Sequence, residues 1–187
     1  MPKLGEEWFR KKRMCEYAGG PETLVGMAGI AVECVDGGEV SDVVCARMDL
    51  KGVMVPIFVR GGTRTGRSCG TPPGNRHVLK DVTFRDVTAV AESYVASSVT
   101  GVAGCRPMNV RLENVTVALK SGDVAWDGVP PPERAEDYPE CNLFGATPAR
   151  GLYARHVDGL QLVNVVFSPS DRGFRETVVE DDVRKLK

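Results

Sequence analysis

The chain has 187 residues, 24 of them basic and 25 acidic, for a formal net charge of −1. That length fits a single domain able to bury a core, and the balanced charge gives no electrostatic pull toward nucleic acid or an anionic membrane. No run of about eighteen apolar residues offers a transmembrane helix, and a low aromatic share of 6% beside abundant Gly, Val and Thr suits short strands joined by tight turns.

Residues 1–24 stand outside the pattern that fills the rest of the chain. The stretch Gly-Glu-Glu-Trp-Phe-Arg-Lys-Lys-Arg-Met at 5–14 reads either as a short amphipathic helix capping the adjoining strands or as a disordered leader. It has no apolar h-region, so it does not read as a secretory signal.

From residue 25 to 187 a repeat takes over. Segments 40–50, 79–89, 107–117 and 157–167 share one grammar. The third position is Asp42, Asp81, Asn109 or Gly159, and the eighth is Arg47, Asp86, Asn114 or Asn164. Apolar residues alternate between and beyond these positions, as in Val82 and Phe84, then Val87 and Ala89. Period-two alternation interrupted at a polar residue predicts two short strands meeting at a bend. A second set of short strands lies between the copies, at 29–33, 56–60, 97–101 and 151–155, with Asp36-Gly-Gly as a tight turn. Neither set buries an apolar face alone, so the copies must pack on one another. Val43, Val82, Val110 and Leu160 are spaced by 39, 28 and 50 residues, which predicts loops of variable length inserted on one side. The expected architecture is all-β: a right-handed parallel β-helix, a solenoid of about four rungs with its long loops on one face.

Two of those loops carry most of the chemistry. Residues 61–76 are locally basic, with Arg64, Arg67 and Arg76 flanked by Arg60 and His77. Residues 120–150 hold Pro130-Pro-Pro-Glu-Arg and Tyr138-Pro-Glu-Cys-Asn-Leu-Phe-Gly, and an insertion of that length with its own aromatics points to function. The six cysteines form no CxxC pair. Cys45, at an inward strand position, reads as a buried apolar thiol rather than half of a disulfide. With two histidines and no ligand spacing to a cysteine, no zinc site, and no cofactor of any kind, is expected.

The motifs Gly-Ile-Ala-Val-Glu-Cys-Val-Asp-Gly-Gly (29–38), Pro-Ile-Phe-Val-Arg-Gly-Gly-Thr-Arg (56–64), Ser-Ser-Val-Thr-Gly (97–101), Tyr-Pro-Glu-Cys-Asn-Leu-Phe-Gly (138–145) and Pro-Ala-Arg-Gly-Leu-Tyr-Ala-Arg-His (148–156) carry a resemblance. Together and in this order, the chain resembles the pectin-degrading, polygalacturonase-like glycoside hydrolases of family 28. The resemblance implies hydrolysis of galacturonosyl linkages, a pectin-type acidic polysaccharide as partner, and a secreted or periplasmic setting. It covers only the C-terminal portion of such a protein. The family's Asn-Thr-Asp and Gly-His-Gly motifs are absent, Ile30-Ala-Val-Glu33 stands where Arg-Ile-Lys would lie, and the one Asp-Asp pair, Asp181-Asp182, sits near the C-terminus. Inverting hydrolysis needs a carboxylic acid and an opposed carboxylate, so the resemblance implies a truncated and catalytically incomplete copy. The alternative is a non-catalytic β-helix that binds carbohydrate or serves as a scaffold. Loss of upstream strands also implies an uncovered end of the coil that promotes self-association unless Trp8 and Phe9 cover it.

The residues expected to contact sugar are Arg60, Arg64, Tyr138, Glu140, Tyr153, Arg155 and His156. Arginine pairs a uronate carboxylate bidentately and a tyrosine face stacks on a sugar ring. Glu33 and Glu140 are the carboxyl groups to test as acid or base, and no catalytic residue is assigned.

Overall fold

The computed structural model describes residues 26–64, 77–169 and 173–185. The expected N-terminal cap or leader, and the uncovered end behind the self-association reading, lie outside the described residues. Among the described residues, eight strands account for the regular structure: β1 (Gly26–Cys34), β2 (Gly38–Val40), β3 (Val43–Gly61), β4 (His77–Ala91), β5 (Ser97–Thr100), β6 (Met108–Ala118), β7 (Ala149–Ser168) and β8 (Glu176–Arg184). All named strand pairs are parallel.

The bends fall where the alternation breaks. Asp42, Asp81 and Asn109 have φ of 57°, 54° and 53°, and Arg47, Asp86, Asn114 and Asn164 have φ of 57°, 55°, 52° and 52°. Asn and Asp enter this left-handed region at low cost because their short polar side chains bond locally. Here they also bond across strands: Asn114 Nδ2 donates to Asp86 Oδ1 at 2.9 Å, and Asn164 Nδ2 to Asn114 Oδ1 at 2.9 Å. Each bend is thereby aligned with the next, which fixes the register of the apolar positions. Val43, Val82, Val110 and Leu160 are successive partners, as are Cys45, Phe84, Leu112 and Leu162. Val82, Phe84, Val110 and Leu112 are fully buried in the main core.

The expectation of a right-handed parallel β-helix, an open solenoid of about four rungs, is corrected by how the strands connect. β3 pairs with β4 through 43–53 and with β5 through 58–60. β4 pairs with β6, β6 with β7, and β7 with β5 through 152–155. The pairing therefore closes on itself as a five-strand parallel β-barrel, with β1, β2 and β8 attached outside the ring. The cause lies in β3 and β7, of 19 and 20 residues. Each continues through its bends and pairs with one neighbour along its first part and another along its second, linking two strand sets that the repeat reads as separate.

Two glycines in the motifs sit where backbone approaches backbone. A Cβ on Gly101 would meet Cys105 O at 2.5 Å, Pro107 Cδ at 2.6 Å and His156 O at 2.8 Å; one on Gly151 would meet Thr177 O at 2.7 Å. Both keep neighbouring strands in contact. Cys45 is a free thiol, half-buried rather than buried, while Cys105 is disulfide-bonded.

The second part of β3 is buried on both faces, with residues 54–61 all out of solvent. Inside lies the barrel core. Outside, Met54, Val55 and Phe58 pack with Val95 and Cys141, and Cys141 belongs to the long connection between β6 and β7. That connection covers the outer side of the barrel and supplies most of the candidate site.

Candidate functional site

An accessible groove forms where the long connection meets the residues after β3. Tyr138 is 60% exposed, and the Arg64 guanidinium carbon lies 5.1 Å from the centroid of its ring, a cation–π distance. Arg64 Nε donates to Asp36 Oδ1 at 2.7 Å, and this hydrogen bond holds the Asp36 carboxyl below its ordinary range. Tyr138 lines two recesses. One, of about 230 Å³, also contains Glu33, Asp36 and Arg64. The other, of about 670 Å³, contains Trp126, Arg134, Glu140 and Phe144. Burial raises the Glu33 carboxyl above its usual value. Trp126 is fixed by donation from Nε1 to Val129 O at 3.1 Å, and Arg134 pairs with Asp137 at 3.1 Å. An exposed aromatic side chain thus lies between two recesses lined largely by polar residues.

A second group of polar residues lies inward of the groove. Arg60, on β3, is 2% exposed. Its Nη1 donates to Gly101 O at 3.0 Å and its Nη2 to Glu133 O at 2.7 Å, and its guanidinium lies 5.3 Å from the Phe144 centroid. Burial pushes its pKa down to about 10. Tyr153, on β7, is fully buried and donates its hydroxyl to Asp181 Oδ2 at 3.0 Å; burial and that carboxylate drive the phenol above its ordinary value. Arg155 Nη2 meets Glu133 Oε1 at 3.0 Å, its Nε lies 3.3 Å from Asp181 Oδ2, and its Nη1 donates to Pro131 O. The His156 ring stands between two carboxylates, with Nδ1 2.6 Å from Asp182 Oδ2 and Nε2 2.7 Å from Glu133 Oε1. Asp182 is held down to about 2, chiefly by hydrogen bonds from Arg106 and His156.

The seven expected sugar contacts thus divide. Arg64, Tyr138 and Glu140 line the groove, whereas Arg60, Tyr153, Arg155 and His156 are engaged in an interior network. The sequence reading missed Glu133, Trp126 and the role of Asp181 and Asp182. One signal could have found the aspartates: β8 alternates like the other strands, and pairing it with β7 sets Asp181 opposite Arg155. Among the described residues no group of three or more His, Cys, Asp or Glu side chains is arranged to hold a metal ion. No family model matches the chain, and neither a curated protein nor a solved structure matches it.

Proposed function

We propose that this protein binds an oligosaccharide across the Tyr138 groove, of the acidic pectin type suggested by its resemblance to polygalacturonase-like proteins, and does not hydrolyse it. The observation that carries the reading is the exposed Tyr138 ring beneath Arg64, at the junction of the two recesses. The ring supplies an amphipathic stacking face. Among the described residues, Arg64 Nη1 has no hydrogen-bond partner, so a uronate carboxylate has a donor to meet. Carboxylates also line the recesses, among them Glu33, Asp127 and Glu140. Stacking, more than net charge, must therefore supply the affinity.

We base the absence of hydrolysis on Glu33 and Glu140, the two carboxyl groups singled out in the sequence, which line different recesses. Inversion requires a protonated acid and a carboxylate facing each other across one substrate bond, about 6.5–9.5 Å apart. Burial raises the Glu33 carboxyl above its ordinary value, but Glu33 lines one recess while Glu140 lines the other. Asp181 and Asp182 are committed to Tyr153, Arg155, Arg106 and His156. Calorimetric titration with trigalacturonate tests the binding. Tyr138→Ala should weaken it by roughly tenfold, the loss of one aromatic stacking contact. Unchanged affinity in that variant, or equal affinity of the wild type for a neutral galactose trimer, would remove the basis for the groove or for the acidic class respectively.

A further inference from the structure

We infer that Arg155 and His156 form a carboxylate-binding pocket whose resident occupant is the chain's own Glu133, so that the long connection closes off a second carboxylate site beneath the groove. Three buried or nearly buried side chains converge on residues 131–134. Arg60 Nη2 donates to Glu133 O at 2.7 Å and to Arg134 O at 3.3 Å, Arg155 Nη1 donates to Pro131 O, and Arg155 Nη2 and His156 Nε2 both address Glu133 Oε1. The strand residues thus grip the loop through its carbonyls and through one carboxylate.

The occupant fits imperfectly. Glu133 Oε1 takes both contacts, while Oε2 is buried and accepts no hydrogen bond. A guanidinium–carboxylate pair is strongest when both oxygens are used, and a buried acceptor left without a donor is costly. An external carboxylate free to orient itself can satisfy both oxygens in the same space.

The walls and the occupant also differ in what holds them. Arg155 and His156 belong to β7, and Asp181 and Asp182, which contact the same two side chains, belong to β8. Arg106, bonded to Asp158 and Asp182, closes the cluster from the segment before β6. The β7 and β8 residues stay in place through strand pairing, and Arg106 through its ion pairs to them. Glu133 lies on a connection without strands, so among the described carboxylates of this cluster it can leave without breaking a ladder. Once it leaves, Arg155 Nη2 and His156 Nε2 face the vacated space while Asp181 and Asp182 keep their contacts.

The pocket itself does not depend on the saccharide reading; only the identity of its natural ligand as a uronate does. Glu133→Ala in the full chain opens a carboxylate-sized space. Its thermal midpoint should rise saturably with sodium acetate relative to sodium chloride at equal ionic strength, while the wild type responds no differently to the two salts. Trigalacturonate should bind this variant at least tenfold more tightly than it binds the wild type. If Glu133→Ala does not fold in chloride, its refolding in acetate is the same test, and recovery only with acetate supports the pocket. Equal behaviour of the variant in acetate and chloride overturns it. An acetate response without any gain in trigalacturonate affinity keeps the pocket and overturns a uronate as its natural ligand.

Discussion

Arg175→Met should lower the unfolding free energy by about 3–5 kcal/mol, the usual cost of leaving one member of a buried ion pair without its partner. The side chains of Arg175 and Asp123 are 1% and 2% exposed. Arg175 Nη2 meets Asp123 Oδ1 at 2.6 Å and Tyr94 O at 2.8 Å, and Nη1 donates to Ala149 O at 2.9 Å. One guanidinium therefore ties the start of the long connection to its end and to the segment before β5. Desolvation acts to raise the Asp123 carboxyl, but hydrogen bonds from the Arg175 side chain and backbone outweigh it and hold the group below its ordinary value. A carboxyl depressed by folding gives stability that is present above its unfolded pKa and lost as pH falls through the lowered value. Urea unfolding at neutral and acid pH should show that loss in the wild type and a smaller one in Arg175→Met. Because the connection carries Tyr138, saccharide affinity should fall as well. A change below about 1 kcal/mol would mean that the pair is not a structural tie.

Phe84→Ala should cost about 3–5 kcal/mol, the range for removing a large aromatic side chain from a packed interior. Phe84 is fully buried and sits between Cys45 and Leu112 in the ladder. Its neighbours are held by parallel pairing on both sides and have little freedom to fill the cavity. The unfolding midpoint in urea should shift with no change in slope. A loss comparable to that of an exposed residue such as Val44, 62% exposed, would contradict the assigned core.

Much of the local structure was legible because its physics is local. Alternation that breaks at Asp81 and Asp86 announces strands with bends, and the same breaks at Asn109 and Asn114 announce the partner strand and its register. Closure of the ring was not legible in this way. An open stack and a closed barrel need the same alternation and the same bends, and the difference lies in whether β3 and β7 run on to pair with β5. The site divided for a related reason. Arg60 and Tyr153 carry the chemistry of sugar contacts, yet the long connection covers the strand faces that bear them and turns them into interior anchors. Glu133 lies in a proline-rich segment with no periodicity, so nothing local relates it to Arg155 and His156. Asp181 and Asp182 gained their partners from the pairing of β8 with β7, while in sequence they read as a displaced acidic pair.

Reducing ends released from polygalacturonate, at protein concentrations where trigalacturonate binding is saturated, test most directly whether this protein holds an acidic saccharide without cleaving it. Release should equal that of buffer alone, and it should be the same for a Glu33→Gln, Glu140→Gln double variant. Turnover well above background that disappears in the double variant would show that the two carboxyl groups work together across one bond, and would contradict the assignment of a binding protein.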